Sequence, residues 1–154
     1  MTAPAEFGEN RSVATTKTSR LSMERSKIDA AWPNALRWFL SLDLTHFTPW
    51  HFIQSADEMA FAANAFRRED VQRGEVFVFA RRQDREDFAG LELENGLPTG
   101  KVLYFHPVFG NGSTDSPRTW NIIVATYPDV FDFVAQCVVP DMKDWALEED
   151  AEDL

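Results

Sequence analysis

A single cysteine, Cys137, stands among 154 residues, so no disulfide can form within the chain. Its apolar context, VAQCVV, predicts a buried, inert thiol rather than a nucleophile. Histidine is almost as scarce: His46, His51 and His106 are the full set. His46 and His51 are five apart with Pro49 between them, which is not the i, i+4 spacing of a helical zinc site. With no cysteine pair, the sequence predicts no metal and no cofactor. Apolar runs never approach the ~18 residues of a membrane span, and the N-terminus lacks the apolar core of a secretory signal. A cytoplasmic protein is the expectation. Positive charge is the other deficit. Fifteen basic residues against 25 acidic ones give a formal charge of −10. A phosphate-backbone binder needs a basic footprint, so direct nucleic-acid binding is excluded and a basic protein partner is favoured.

What the chain has in quantity is aromatic residues, with 13 Phe and five Trp, enough to build a core. Its centre is the stretch from Glu75 to Leu93, EVFVFARRQDREDFAGLEL. Val76–Ala80 and Phe88–Leu91 read as two strands, β-branched or aromatic in the first and with small Ala89 and Gly90 in the second. Between them lie Arg81, Arg82, Gln83, Asp84, Arg85, Glu86 and Asp87, six of the seven charged. This block reads either as a solvated turn that keeps two sticky strands soluble or as a recognition surface held by a sheet. Asp84, Glu86 and Asp87 are the partner-binding candidates, with Trp50 and Trp120 as possible aromatic anchors, although tryptophans are more often core.

Residues 1–20, poor in large apolar groups, are expected to be disordered or loosely attached. A helical pattern begins at Leu21 with Ile28, Ala31 and Trp32. Pro33 then opens a second helix, Asn34 to about Leu42, with Leu36, Phe39 and Leu40 inward. Pro49 predicts extended backbone at Thr48. Ser55 with Glu58 forms a capping-box pattern for a helix over 56–68 that buries Met59, Ala62, Ala63 and Phe66. Gly96, Pro98 and Gly100 mark a turn before a third strand, KVLYFHPVF. FGNGSTDSP is a loop, and Trp120 to Ala125 is strand or helical turn. Asp129 to Val138 is helical, Pro140 breaks it, and Met142, Trp145 and Ala146 start a last short helix. One domain over 21–147 followed by an acidic tail over 148–154 is the resulting organisation.

Catalytic motifs are missing. There is no G-x-S-x-G elbow around Ser113, and FGNGSTDSP lacks the Lys-Ser/Thr ending of a phosphate loop. Nothing about Asp84, Glu86 and Asp87 follows an EF-hand, and Arg82 and Arg85 neutralise them locally. The competing class is a small metal-dependent or hydrolytic enzyme using the three histidines and the hairpin carboxylates.

The order of elements resembles the SUKH superfamily of Smi/Knr-type proteins over residues 25 to 145. The resemblance is carried by Trp32-Pro33, a short helix with Leu36–Leu40, Phe79-Ala80 leading to Arg-Gln-Asp, and Asp87-Phe88-Ala89. Lys101-Val102 with His106 and a terminal helix with Phe131 and Phe133 complete it. It implies a single α+β domain whose central, mostly antiparallel sheet is packed by N-terminal and C-terminal helices. It also implies a bacterial immunity protein, not an enzyme, that neutralises a polymorphic toxin, such as a nuclease, by stoichiometric binding. Such a protein would be a monomer or weak homo-oligomer. A housekeeping regulatory interaction module is the alternative within the same superfamily.

Overall fold

A computed structural model describes residues 27–53, 55–109 and 121–154. The segment over 1–20, the start of the pattern at Leu21, Ser113, nearly all of FGNGSTDSP and Trp120 lie outside the described residues. Twelve elements follow among the described residues, the last a 3-10 turn at Ala151–Asp153 and the first α1 (Asn34–Ser41), β1 (His46–Phe47), β2 (Trp50–Phe52) and α2 (Ala56–Glu69). Next come β3 (Glu75–Arg82), β4 (Phe88–Glu94), β5 (Leu97–Phe105) and β6 (Ile123–Tyr127). A last helical stretch runs through α3 (Val130–Phe133), a π-helical turn (Val134–Val138) and α4 (Val139–Ala146). The fold is α+β.

The six strands form one sheet in chain order, with every neighbouring pair antiparallel. Helices cover both faces. On one, α1 and the C-terminal helical stretch pack Leu36, Phe39, Leu40, Val130, Phe133 and Val138 onto Phe52, Phe79, Leu91 and Val102. On the other, α2 packs Met59, Ala62 and Phe66 onto Val76, Val78, Phe88, Leu103 and Phe105. Ser55 caps α2 as its sequence predicts, its hydroxyl accepting from Glu58 N. Ala65 rather than Ala63 completes the buried stripe.

The partner face of each residue is set by an irregularity in β3. Val78 pairs with Gly90 and Ala80 with Ala89, so Phe79 is an extra residue with no opposite number on β4. Before it, even-numbered residues Val76 and Val78 face α2. After it, odd-numbered Arg81 does. Arg82 is thereby turned toward the C-terminal helix.

Three expectations are corrected. The turn after β4 is not spread over Gly96, Pro98 and Gly100; it is the pair Asn95–Gly96, both with positive φ (52° and 77°), and Leu97–Gly100 already belong to β5. That is the two-residue hairpin geometry Asn-Gly favours. From Ile28 to Trp32 the chain makes bends and turns rather than helix. Pro140 does not end the C-terminal helix. Val139 N bonds back to Val134 O, five residues earlier, and this wider turn makes room for a proline ring that would crowd the carbonyl four residues back. Trp120 to Ala125 resolves, within the described residues, to the start of β6 at Ile123.

Gly90 is required by close approach. A Cβ there would lie 2.3 Å from Val76 Cγ2 and 2.9 Å from the Phe77 carbonyl oxygen. Gly90→Ala is expected to cost about 1–3 kcal/mol through overpacking, read as a lower thermal midpoint with an unchanged far-UV spectrum.

Candidate functional site

The connection between β3 and β4 is where the charge sits, and the fold ties it down on three sides. Gln83 N donates to Pro49 O (2.8 Å) in the β1–β2 turn, and Arg82 N donates to Asp87 O (2.9 Å) across the turn's base. The Arg82 side chain then bridges outward and inward. Its Nε donates to Asp84 Oδ1 (2.7 Å) and its Nη1 to Asp141 Oδ2 (3.1 Å) on α4. Desolvation works against the guanidinium's charge, but Asp84 and Asp141 outweigh it and raise the pKa.

Asp141 Oδ2 also accepts from Trp50 Nε1 (2.8 Å) and lies 3.8 Å from Cys137 Sγ. Cys137 and Asp141 are four residues apart and meet across the end of the π turn. Burial, followed by the nearby Asp141 carboxylate, pushes the Cys137 thiol up to about 12. Tyr127 is likewise pushed up to about 12, chiefly by burial and next by Cys137.

Asp87, the last residue of the charged block, behaves unlike the others. It is 4% exposed. Its Oδ1 is 2.6 Å from His106 Nδ1, and its Oδ2 accepts the Tyr104 hydroxyl proton. Burial raises the Tyr104 pKa, and the hydrogen bond to Asp87 adds to that. A carboxylate oxygen accepts, so His106 Nδ1 carries the proton in this contact. The His106 side chain is 54% exposed against 5% for Asp87. An acid that orients an accessible imidazole can, chemically, support proton transfer.

The remaining histidines lie elsewhere. His46, His51, Arg81, Phe88, Phe105 and Ile123 are successive cross-strand partners, one row across all six strands. Phe88 and Phe105 of that row face α2, so it lies on the α2 side. Arg81 reaches Glu58 on α2 (2.6 Å) and lies over the Phe88 ring. Asp87, next to Phe88 in β4's direction, and Tyr104, paired with Ala89, belong to the opposite side. The three histidines therefore do not converge. Burial, then the charge of His51, lowers the pKa of His46.

Of the proposed partner-binding residues, Asp84 and Glu86 are at the surface of the turn, their side chains 25% and 54% exposed. Two assignments are corrected. Asp87 is buried because both its oxygens are committed inward. Trp50 is fully buried, packed edge-on against Tyr104 and Phe133, and cannot anchor a partner. Trp120 lies outside the described residues. Sequence reasoning foresaw Arg82 beside Asp84 but missed Tyr104 and Asp141 as members of this network. Tyr104 was within reach, since it alternates with Leu103 and Phe105 along a strand that ends at His106. Asp141, 59 residues from Arg82, gave no local signal.

Among the described residues no group of three or more His, Cys, Asp or Glu is placed to hold a metal ion, and no helix is long and apolar enough to cross a membrane. Comparison with family models, curated proteins and solved structures found no match for the chain.

The network fixes a pH dependence. Tyr104 and Tyr127 are the only tyrosines, and both pKa values are raised in the folded chain, that of Tyr127 to about 12. An unfolded tyrosine ionises near pH ~10, so above that pH the folded state holds protons the unfolded chain gives up. Stability from this source is complete below pH ~10 and falls as pH rises toward the folded values. Absorbance at 295 nm should show almost no phenolate in the native protein at pH ~10.5 and ionisation of about three quarters of the tyrosine once urea is added. Cys137 should resist iodoacetamide at pH ~8 until the chain unfolds.

Proposed function

We propose that the chain is a non-enzymatic, cytoplasmic protein-binding domain that neutralises a basic partner by stoichiometric occlusion, as the SUKH resemblance implies for an immunity protein facing a bacterial toxin. The observation that carries this reading is the anchoring of the acidic turn. Asp84 and Glu86 are presented on a segment held by the β1–β2 turn, by Asp141 of α4 and by the Asp87–His106 contact. A surface so fixed loses little conformational entropy on binding. The net charge of −10 adds long-range attraction for a basic toxin domain.

A second reading is favoured by one observation, the buried Asp87 holding an accessible His106. That is an acid–base pair, and a small hydrolytic enzyme would use it. His106→Asn leaves the sheet intact and would abolish such an activity, whereas it leaves toxin neutralisation in place.

Co-expression with the toxic product of the adjacent gene is the test. Growth is expected to be restored and a one-to-one complex to elute in gel filtration. Glu86→Lys should slow association about tenfold at low salt and less at high salt. Asp84→Lys should do more, since it also releases the Arg82 side chain. Undiminished toxicity with no complex removes the proposal.

A further inference from the structure

The β1–β2 hairpin holds the only two histidines that meet. His46 and His51 are direct cross-strand partners, and their Nδ1 atoms lie 3.1 Å apart with the ring planes at 66°. His51 is 8% exposed, and its other nitrogen, Nε2, lies 2.5 Å from Gln83 Oε1. An amide oxygen accepts only, so the ring proton of His51 is on Nε2. Its Nδ1 then faces His46 Nδ1 as the acceptor of that ring's proton.

Two imidazole nitrogens on one tetrahedral zinc, each at about 2.0–2.1 Å, are about 3.3 Å apart, and at a right-angled metal about 2.9 Å. The observed 3.1 Å separation lies between these values. Gln83 supplies what metal-bound histidines ordinarily have, an acceptor on the far ring nitrogen that fixes tautomer and orientation. We propose that His46 and His51 form a bidentate chelate for a divalent transition metal, Zn²⁺ being the reference ion, with Gln83 as the positioning residue. On coordination the His46 ring proton moves to Nε2 and both Nδ1 atoms become ligands.

No third His, Cys, Asp or Glu joins the pair among the described residues. His46 is exposed and sits on the two-residue edge strand β1, so water completes the coordination sphere. The chelate does not depend on the acidic turn's proposed role, although Gln83 belongs to that turn. It lies on the α2 side of the sheet, away from Asp87 and His106.

The test is calorimetric titration of the untagged full chain with ZnCl₂ near neutral pH, with histidine ring nitrogens followed by NMR. One Zn²⁺ per chain is expected, with the Nδ1 resonances of His46 and His51 shifting and those of His106 unmoved. His46→Ala, at an exposed position, should abolish the uptake without changing the circular dichroism spectrum. Gln83→Ala should weaken it about tenfold, and His106→Ala should leave it as it was. Absence of saturable uptake at millimolar Zn²⁺, or uptake that survives His46→Ala, overturns the proposal and leaves a hydrogen-bonded pair.

Discussion

One residue without an opposite number, Phe79, decides how this molecule is assembled. Side chains on a strand alternate, so an extra residue exchanges the faces of everything beyond it. Because Phe79 is inserted between Val78 and Ala80, Arg81 turns to α2 and meets Glu58, while Arg82 turns to α4 and meets Asp141. Without the insertion the two would change places. Arg82 would then point at the apolar contact of α2 with the sheet, and the indole N–H of Trp50 would share its acceptor with no cation. The bulge also exposes the Phe79 carbonyl to Ile53 N, which bonds it at 2.9 Å and holds the exit of β2 against β3.

The consequence is a division of labour along the sheet. Toward the Asn95–Gly96 end the covered positions, such as Val76, Leu91 and Val102, are apolar, and Glu92 and Lys101 pair at the surface. Toward the β3–β4 turn, the polar ends of the buried aromatics are matched. Trp50 brings an N–H into a fully buried position and finds Asp141; Tyr104 brings a hydroxyl and finds Asp87. Buried donors left unmatched would cost about 1–3 kcal/mol each, so these pairings are conditions for burying the aromatics at all. The same pairings turn Asp87 inward and occupy Asp141 Oδ2.

The sequence made the strands and α2 legible because the relevant signals are local. Val76–Phe79 is β-branched and aromatic, and Ser55 with Glu58 is a start signal written in four residues. The charged block was legible as a block but not residue by residue. Nothing in Arg-Gln-Asp-Arg-Glu-Asp tells that Asp87 alone points inward, since that depends on the parity set by Phe79 and on Tyr104 arriving beside it. The acceptor of Trp50 escaped for the same reason, its donor being satisfied 91 residues later in the chain. Pro140 misled because proline normally stops a helix, and the π turn before it has no sequence signature of its own. The Asn95–Gly96 turn was readable from the dipeptide itself, and the neighbouring Pro98 and Gly100 drew attention from it.

These constraints bear on what the turn can do. Hairpin connections carrying six charges are ordinarily mobile, because water competes for every ion pair within them. Here the fixing contacts are not within the turn. They reach the β1–β2 turn, the C-terminal helix and the end of β5, three elements separated in sequence and each packed on the sheet. The turn's conformation therefore depends on the stability of the whole domain and not on its own exposed pairs, of which Arg85–Asp84 at 3.6 Å is an example. Loosening α4 at Asp141 would free Arg82, and with it Asp84, some 57 residues away in sequence (141 − 84). Binding at the turn and the packing of the last helix are thus one equilibrium, since whatever favours the ordered turn also favours the docked helix.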